Sequence, residues 1–188
     1  MKNLWTKKSS VISLMIFSLS VFTVTWVSAD GGGGKTIRAR LIGYEETPLS
    51  LSTTGRGNLR ARINESAQTI TYRLTYSDLE GATTTAAHIH LGQRRTTGGV
   101  SAFLCGGGDK PPCPSTGGTV NGVIDAADVI GPTGQGIAAG EFDELVRAIR
   151  SGYTYANVHT NKYPSGEIRG QIRVDASDDH DNNDDEDD

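Results

Sequence analysis

The segment Ile70-Thr71-Tyr72-Arg73-Leu74-Thr75-Tyr76 decides the fold class, because apolar or aromatic side chains hold every even position and polar ones every odd position. Side chains alternate between the two faces of a strand, so this period of two belongs to an antiparallel strand with one buried and one wet face. The pattern continues outward in both directions. Upstream, Leu59, Ala61 and Ile63 alternate with Arg60 and Arg62, and Ile37, Ala39 and Leu41 alternate with Arg38 and Arg40. Near the far end, Ile168, Gly170, Ile172 and Val174 alternate with Arg169, Gln171 and Arg173. Further strands are predicted over 86–91, 99–104, 118–125 and 153–159, so about eight in all, joined by Gly-, Thr- and Pro-rich turns. The expected fold is therefore all-β, an antiparallel β-sandwich or partly closed barrel.

One short helix interrupts the strands. Phe142, Leu145, Val146 and Ile149 fall at i, i+3, i+4 and i+7 and form one apolar stripe. Glu141, Asp143 and Glu144 crowd its start, Arg147 and Arg150 its end, and Gly152 follows as the C′ residue. Each charge sits where the helix dipole favours it. A structural role as a lid over one end of the sandwich is expected.

The ends of the 188-residue chain differ from its middle. Lys2, Lys7 and Lys8 precede an apolar run from Val11 to Val27, and Val27-Ser28-Ala29 supplies small residues for cleavage before Asp30. This reads as a signal peptide over 1–29, leaving no membrane span once it is removed. Gly31–Gly34 forms a flexible linker over 30–34. Residues 30–174 carry 15 Lys and Arg against 13 Asp and Glu, whereas 175–188 hold nine acidic residues and His180. The whole-chain net charge of −4 thus conceals a mildly basic domain with an acidic tail, predicted to be disordered. The tail could solubilise the chain, bind calcium weakly, or lie against the domain's own basic face.

Cys105 and Cys113 are the only cysteines. In an exported chain, a pair this close in sequence reads as a disulfide, and the Gly- and Pro-rich segment between them suits a tight loop. The spacing does not suit a zinc knuckle, and no second pair exists.

Three of the four histidines lie on predicted strands. In Ala87-His88-Ile89-His90-Leu91, His88 and His90 share a face; in Tyr155-Ala156-Asn157-Val158-His159, Asn157 and His159 do. If the two strands are neighbours, His88, His90 and His159 converge on a copper or zinc site, with Asn157, Glu167 and Arg169 as the groups that orient them. The alternative is structural: the imidazoles hydrogen-bond to backbone carbonyls or to Glu167, and Glu167, Arg169 and Gln171 form a polar network. No Gly-x-Ser-x-Gly, phosphate loop or dinucleotide fingerprint is present, and an exported chain with an acidic tail does not suit nucleic-acid binding.

Several stretches resemble the CHRD domain, named for its occurrence in chordin. They are Glu45-Glu46-Thr47-Pro48 with Thr53-Thr54-Gly55, Thr85–Gly92, Gly98-Gly99-Val100, Gly140–Gly152, Tyr155–Thr160 and Pro164–Gln171. The resemblance covers about residues 35–174, in the right order. It implies an extracellular setting and an immunoglobulin-like β-fold. It also implies a more distant likeness to copper–zinc superoxide dismutase in the His-x-His strand, although that enzyme's bridging-histidine loop and zinc ligands have no counterpart. In animal chordin the domain belongs to an antagonist of bone-morphogenetic-protein signalling, a role the resemblance does not carry to a lone domain.

Arg38, Arg40, Arg60, Arg62 and Arg73 share the polar parity of the first three strands. On neighbouring strands they would form a basic face suited to an anionic polysaccharide, an extracellular protein or the acidic tail. The sequence thus points first to a secreted, periplasmic or cell-surface binding module without enzymatic activity. The alternative is a copper- or zinc-binding protein, with superoxide dismutation as its extreme form.

Overall fold

In the computed structural model, which describes residues 34–175, the run from Ile70 to Tyr76 becomes the centre of a nine-residue strand. The segments read from sequence as a signal peptide, a linker (up to Gly33) and an acidic tail (beyond Asp175) lie outside the described residues. In chain order the elements are β1 (Thr36–Ile42), β2 (Arg56–Asn64), β3 (Thr69–Ser77), β4 (Thr84–Leu91), β5 (Val100–Cys105), β6 (Gly118–Ile124), α1 (Phe142–Arg150), β7 (Thr154–Thr160), β8 (Ile168–Gln171) and β9 (Arg173–Val174). Among the described residues the fold is the expected antiparallel all-β architecture with one short α-helix.

The strands run in the order β5-β4-β7-β8-β1-β2-β3-β6, with β9 also paired to β1. The outermost strands, β5 and β6, come back into contact, so the sheet curls into a nearly closed barrel. The Tyr72 hydroxyl on β3 donates to the Leu104 carbonyl on β5 at 2.7 Å, bridging the two halves. Inside the curl, Ile37, Leu41, Leu59, Ile63, Ile70 and Leu74 meet Ile89, Leu104, Phe142, Leu145 and Ile149, all buried in one cluster. Each such side chain contributes roughly 1.5–3 kcal/mol through removal from water. Helix α1 buries the four residues of its predicted stripe, and Gly152 follows with φ +74° in the left-handed region.

Two expectations need correction. The last predicted strand is two strands, β8 and β9, broken at Ile172. A Cβ on Gly170 would stand 2.1 Å from the Arg40 carbonyl oxygen, so the β8 and β1 backbones touch there. Ile172 N–H then donates to Thr154 on β7, while Arg173 pairs with Arg38 on β1. The chain therefore changes partner at that residue.

Nor is the polar parity wet throughout. It is exposed on β2, where the pattern alternates strictly, but β7 is buried on both faces except for a half-buried His159, and Arg169 on β8 is 2% exposed. Polar residues around 45–47 and 93 fold over this second region, as contacts from Arg169 to Thr47 and Gln93 show. Asn157 and Arg169, two of the candidate site residues, lie beneath that cover.

Candidate metal centre

Strand β4 lies between β5 and β7. Ala87 and Ile89 point into the core, so strand parity turns His88 and His90 to the other face. The β4–β7 register places His88 opposite Asn157, His90 opposite Tyr155 and Ala86 opposite His159. The adjacency that sequence parity required is therefore present. The β4–β5 register shifts on both sides of the His88–Ile89 pair, an irregularity of the kind that re-aims side chains in a sheet.

The three imidazoles converge. Ring centroids are separated by 5.3 Å for His88–His90, 4.9 Å for His88–His159 and 5.9 Å for His90–His159. One ring nitrogen from each lies within 4.8 Å of the others. His90 Nδ1 lies 3.0 Å from the Gly98 carbonyl, and His159 Nδ1 lies 3.0 Å from the Pro164 carbonyl. A carbonyl only accepts, so each Nδ1 carries the proton and each Nε2 keeps its lone pair. His90 Nε2, His159 Nε2 and His88 Nδ1 are all buried without a protein hydrogen-bond partner. Three buried ring nitrogens without partners, two of them acceptors by tautomer, are a costly arrangement in one cluster for a purely structural role.

Burial keeps the rings neutral. It lowers the His88 pKa to about 3, helped by the neighbouring His159 and His90. It lowers His90 to about 4, with the Gly98 bond opposing and His159 and Arg169 assisting. His159 is shifted down for the same main reason. Neutral imidazole is the ligating form.

Aromatic and cationic groups fix the rings. Tyr155 stacks on His90 at 4.7 Å and 3° between planes, and the Arg169 guanidinium sits 3.5 Å from the centre of the Tyr155 ring. Tyr155 also accepts from Gly98 N–H at 3.1 Å, tying the 98 loop to the same stack. Phe103 on β5 packs edge-on against His88 at 4.6 Å. Asn157 Nδ2 donates to Glu46 at 3.4 Å. Burial, the largest influence, raises the Glu46 carboxyl to about 7 against the opposing effects of Asn157 and Arg169.

Glu167, expected beside the histidines, sits elsewhere. Its carboxylate accepts from Thr53 Oγ1 at 2.8 Å, Glu80 N at 2.6 Å, Gly81 N at 3.1 Å and Thr160 Oγ1 at 2.8 Å. It therefore fastens the 53 and 80–81 loops to β7, and the imidazole partners are backbone carbonyls instead. Arg169 serves Tyr155, Thr47 and Gln93 rather than Glu167. Gln171 Nε2 donates to the Gly92 and Gly152 carbonyls. Cys105 and Cys113 are joined as a disulfide with Cα atoms 5.1 Å apart.

Tyr155, Phe103, Gly98, Pro164 and Glu46 were not singled out as site residues from sequence. A backbone carbonyl leaves no mark on residue identity, so only the glycine at 98 offered a signal. A Cβ there would lie 1.6 Å from the Leu91 carbonyl oxygen, so only glycine lets the loop approach β4 closely enough.

Compared with known proteins, the chain matches the family model described as the CHRD domain over residues 37–172. No curated protein and no solved structure gives a significant match.

Proposed function

The chain belongs to the CHRD domain family, and on that footing we propose that it is an exported protein that binds a copper or zinc ion through His88, His90 and His159. The observation that carries this reading is the convergence of three neutral imidazoles, His90 buried and His88 and His159 half-buried, with two tautomers set by the Gly98 and Pro164 carbonyls. Three protein nitrogens leave a coordination position open, as in zinc sites that keep a water or substrate ligand and in copper–imidazole sites. Metal–nitrogen bonds of 2.0–2.1 Å imply ligand atoms roughly 3.3 Å apart. The three nitrogens, now within 4.8 Å of one another, would have to draw closer to hold an ion, and the carbonyl bonds at His90 and His159 fix which ring atom would face it.

Export rests on the basic and apolar N-terminal segment, on the disulfide and on the extracellular setting of the family. No described helix is long and apolar enough to cross a membrane. The role we assign is metal binding.

The test is elemental mass spectrometry of the untagged chain purified from the export compartment, beside a His88→Ala/His90→Ala variant. Near-stoichiometric copper or zinc that disappears in the variant is the expected result. A metal-free protein that also refuses added copper and zinc would return the histidines to a structural role and leave the family's extracellular binding role as the working reading.

A further inference from the structure

A second feature lies on the wet side of the sheet. Arg173 on β9 pairs with Arg38 on β1, Arg38 with Arg60 on β2, and Arg60 with Arg73 on β3. Neighbouring strands are about 4.8 Å apart, so four arginines stand in one row roughly 14 Å long. Arg40 and Arg62 lie on the same face, one position to either side of the row. Two open depressions border it: one of about 310 Å³ is lined by Arg38, Arg40, Arg173 and the Arg94–Glu45 ion pair, and one of about 560 Å³ by Arg60, Arg62 and Arg73.

Like charges placed directly opposite each other on paired strands are destabilising. The row contains three such pairs in succession. Outward positions of β1, β2, β3 and β6 hold Arg, Asn, Ser, Thr, Ile42 and Val123, and no Asp or Glu. Asp175 meets Arg38 at 2.7 Å, but among the described residues no ion pair involves Arg40, Arg60, Arg73 or Arg173. Asp175 therefore relieves the row only at Arg38, and the facing pair Arg60–Arg73 has no acidic partner among the described residues, which points to an external anion.

We propose that the arginine row is a binding track for a linear anionic polysaccharide bearing carboxylate or sulfate groups. A single small anion would satisfy one or two guanidinium groups, whereas a polymer with repeated charges can meet the whole row. The planar fork of Arg suits both oxyanions, and Lys would supply only a point charge. Single-stranded nucleic acid fits less well, because no aromatic side chain occupies an outward position of these strands to stack a base. This surface is independent of the three histidines.

The experiment measures binding of the full exported chain to dextran sulfate, polygalacturonate, neutral dextran and an oligothymidylate by calorimetry at low and moderate salt. Arg60→Thr/Arg73→Thr is compared with Arg147→Thr/Arg150→Thr, which removes the same charge from α1. Binding to at least one polyanionic sugar, absent for neutral dextran, weakened at least tenfold in the row variant and less than twofold in the helix variant, is the expected result. The two polyanions separate sulfate from carboxylate recognition. Equal losses in both variants, no binding to either sugar polyanion, or oligothymidylate binding as tight as theirs would overturn the proposal. Unfolding midpoints of both variants confirm that each remains folded.

Discussion

The Nδ1 atom of His90 and the carbonyl oxygen of Gly98 are 3.0 Å apart, and that bond turns the lone pair of Nε2 toward His88 and His159. Gly98 also donates its N–H to Tyr155, whose ring stacks on His90. One glycine thus holds the imidazole through both its edge and its face.

Replacing Gly98 with Ala puts a methyl into the Leu91 carbonyl and must push the loop outward. Metal affinity is expected to fall about 10–100-fold, the range seen when groups that orient a ligand are lost. The fold should remain. Titration with zinc in the presence of a competing chelator checks this; unchanged affinity would remove Gly98 from the positioning role.

Bound metal should stabilise the fold by mass action. At a free concentration of 100 times Kd the gain is about 2.7 kcal/mol, which for a domain of this size raises Tm by roughly 5–10 °C. The increment should vanish in His159→Ala, whose Nε2 is one of the three converging ring nitrogens. Differential scanning calorimetry with zinc and with a chelator reads it directly.

Acid should weaken the metal-free protein well above the usual carboxylate range. Unfolded histidines take up protons near pH 6.5, but in the fold His90 does so at about 4 and His88 at about 3. The unfolded chain therefore binds more protons in this window, and stability falls as pH drops from about 6.5. Glu46 works in the opposite sense: its proton is held to about 7 in the fold, so it costs stability as pH rises from its ordinary 4.5 toward 7. Three imidazoles outweigh one carboxyl, and Glu46→Gln should steepen the profile between pH 4.5 and 6.5. Chemical denaturation across that range tests both, and a flat wild-type profile would contradict the assigned shifts.

Glu167→Ala strands two hydroxyl and two amide donors that now share one buried carboxylate. A loss of roughly 3 kcal/mol or more is expected. Metal content of the folded fraction should stay intact, because no imidazole depends on this residue. Loss of metal without loss of stability would reverse that division of labour.

Thr at positions 60 and 73 should make the domain more stable at low salt. Relief of facing like charges is worth about 0.2–1 kcal/mol per pair, and Thr suits an exposed strand. Salt should raise the wild-type midpoint and narrow the difference. A variant less stable than the wild type would mean that the aligned guanidinium groups support one another.

The sequence was most readable where one face meets water. Along β1, β2 and β3 each Arg or Thr marks an outward position, so both strand identity and the arginine row follow from parity. It was less readable on β7 and β8, because Asn157 and Arg169 look like wet-face residues yet lie under the segments around Glu46, Thr47 and Gln93. Parity brought His88 and His90 together, but only register brings His159 to them, and register depends on contacts far apart in sequence. The Pro164 carbonyl leaves no compositional trace, and the Gly98 carbonyl only the indirect one of its glycine. Glu167 lies just before β8, where strand parity no longer says which way a side chain points, and its loop partners Thr53, Glu80 and Gly81 are far away in sequence.

The return of β5 to β6 has a further consequence. An unpaired strand edge is a template on which a second chain can grow, and long exposed edges favour polymerisation. Here the two terminal edges approach one another rather than standing apart. A second chain that would grow on either edge meets the other edge beside it, so the curl itself shields the two positions where an open sheet would be extended.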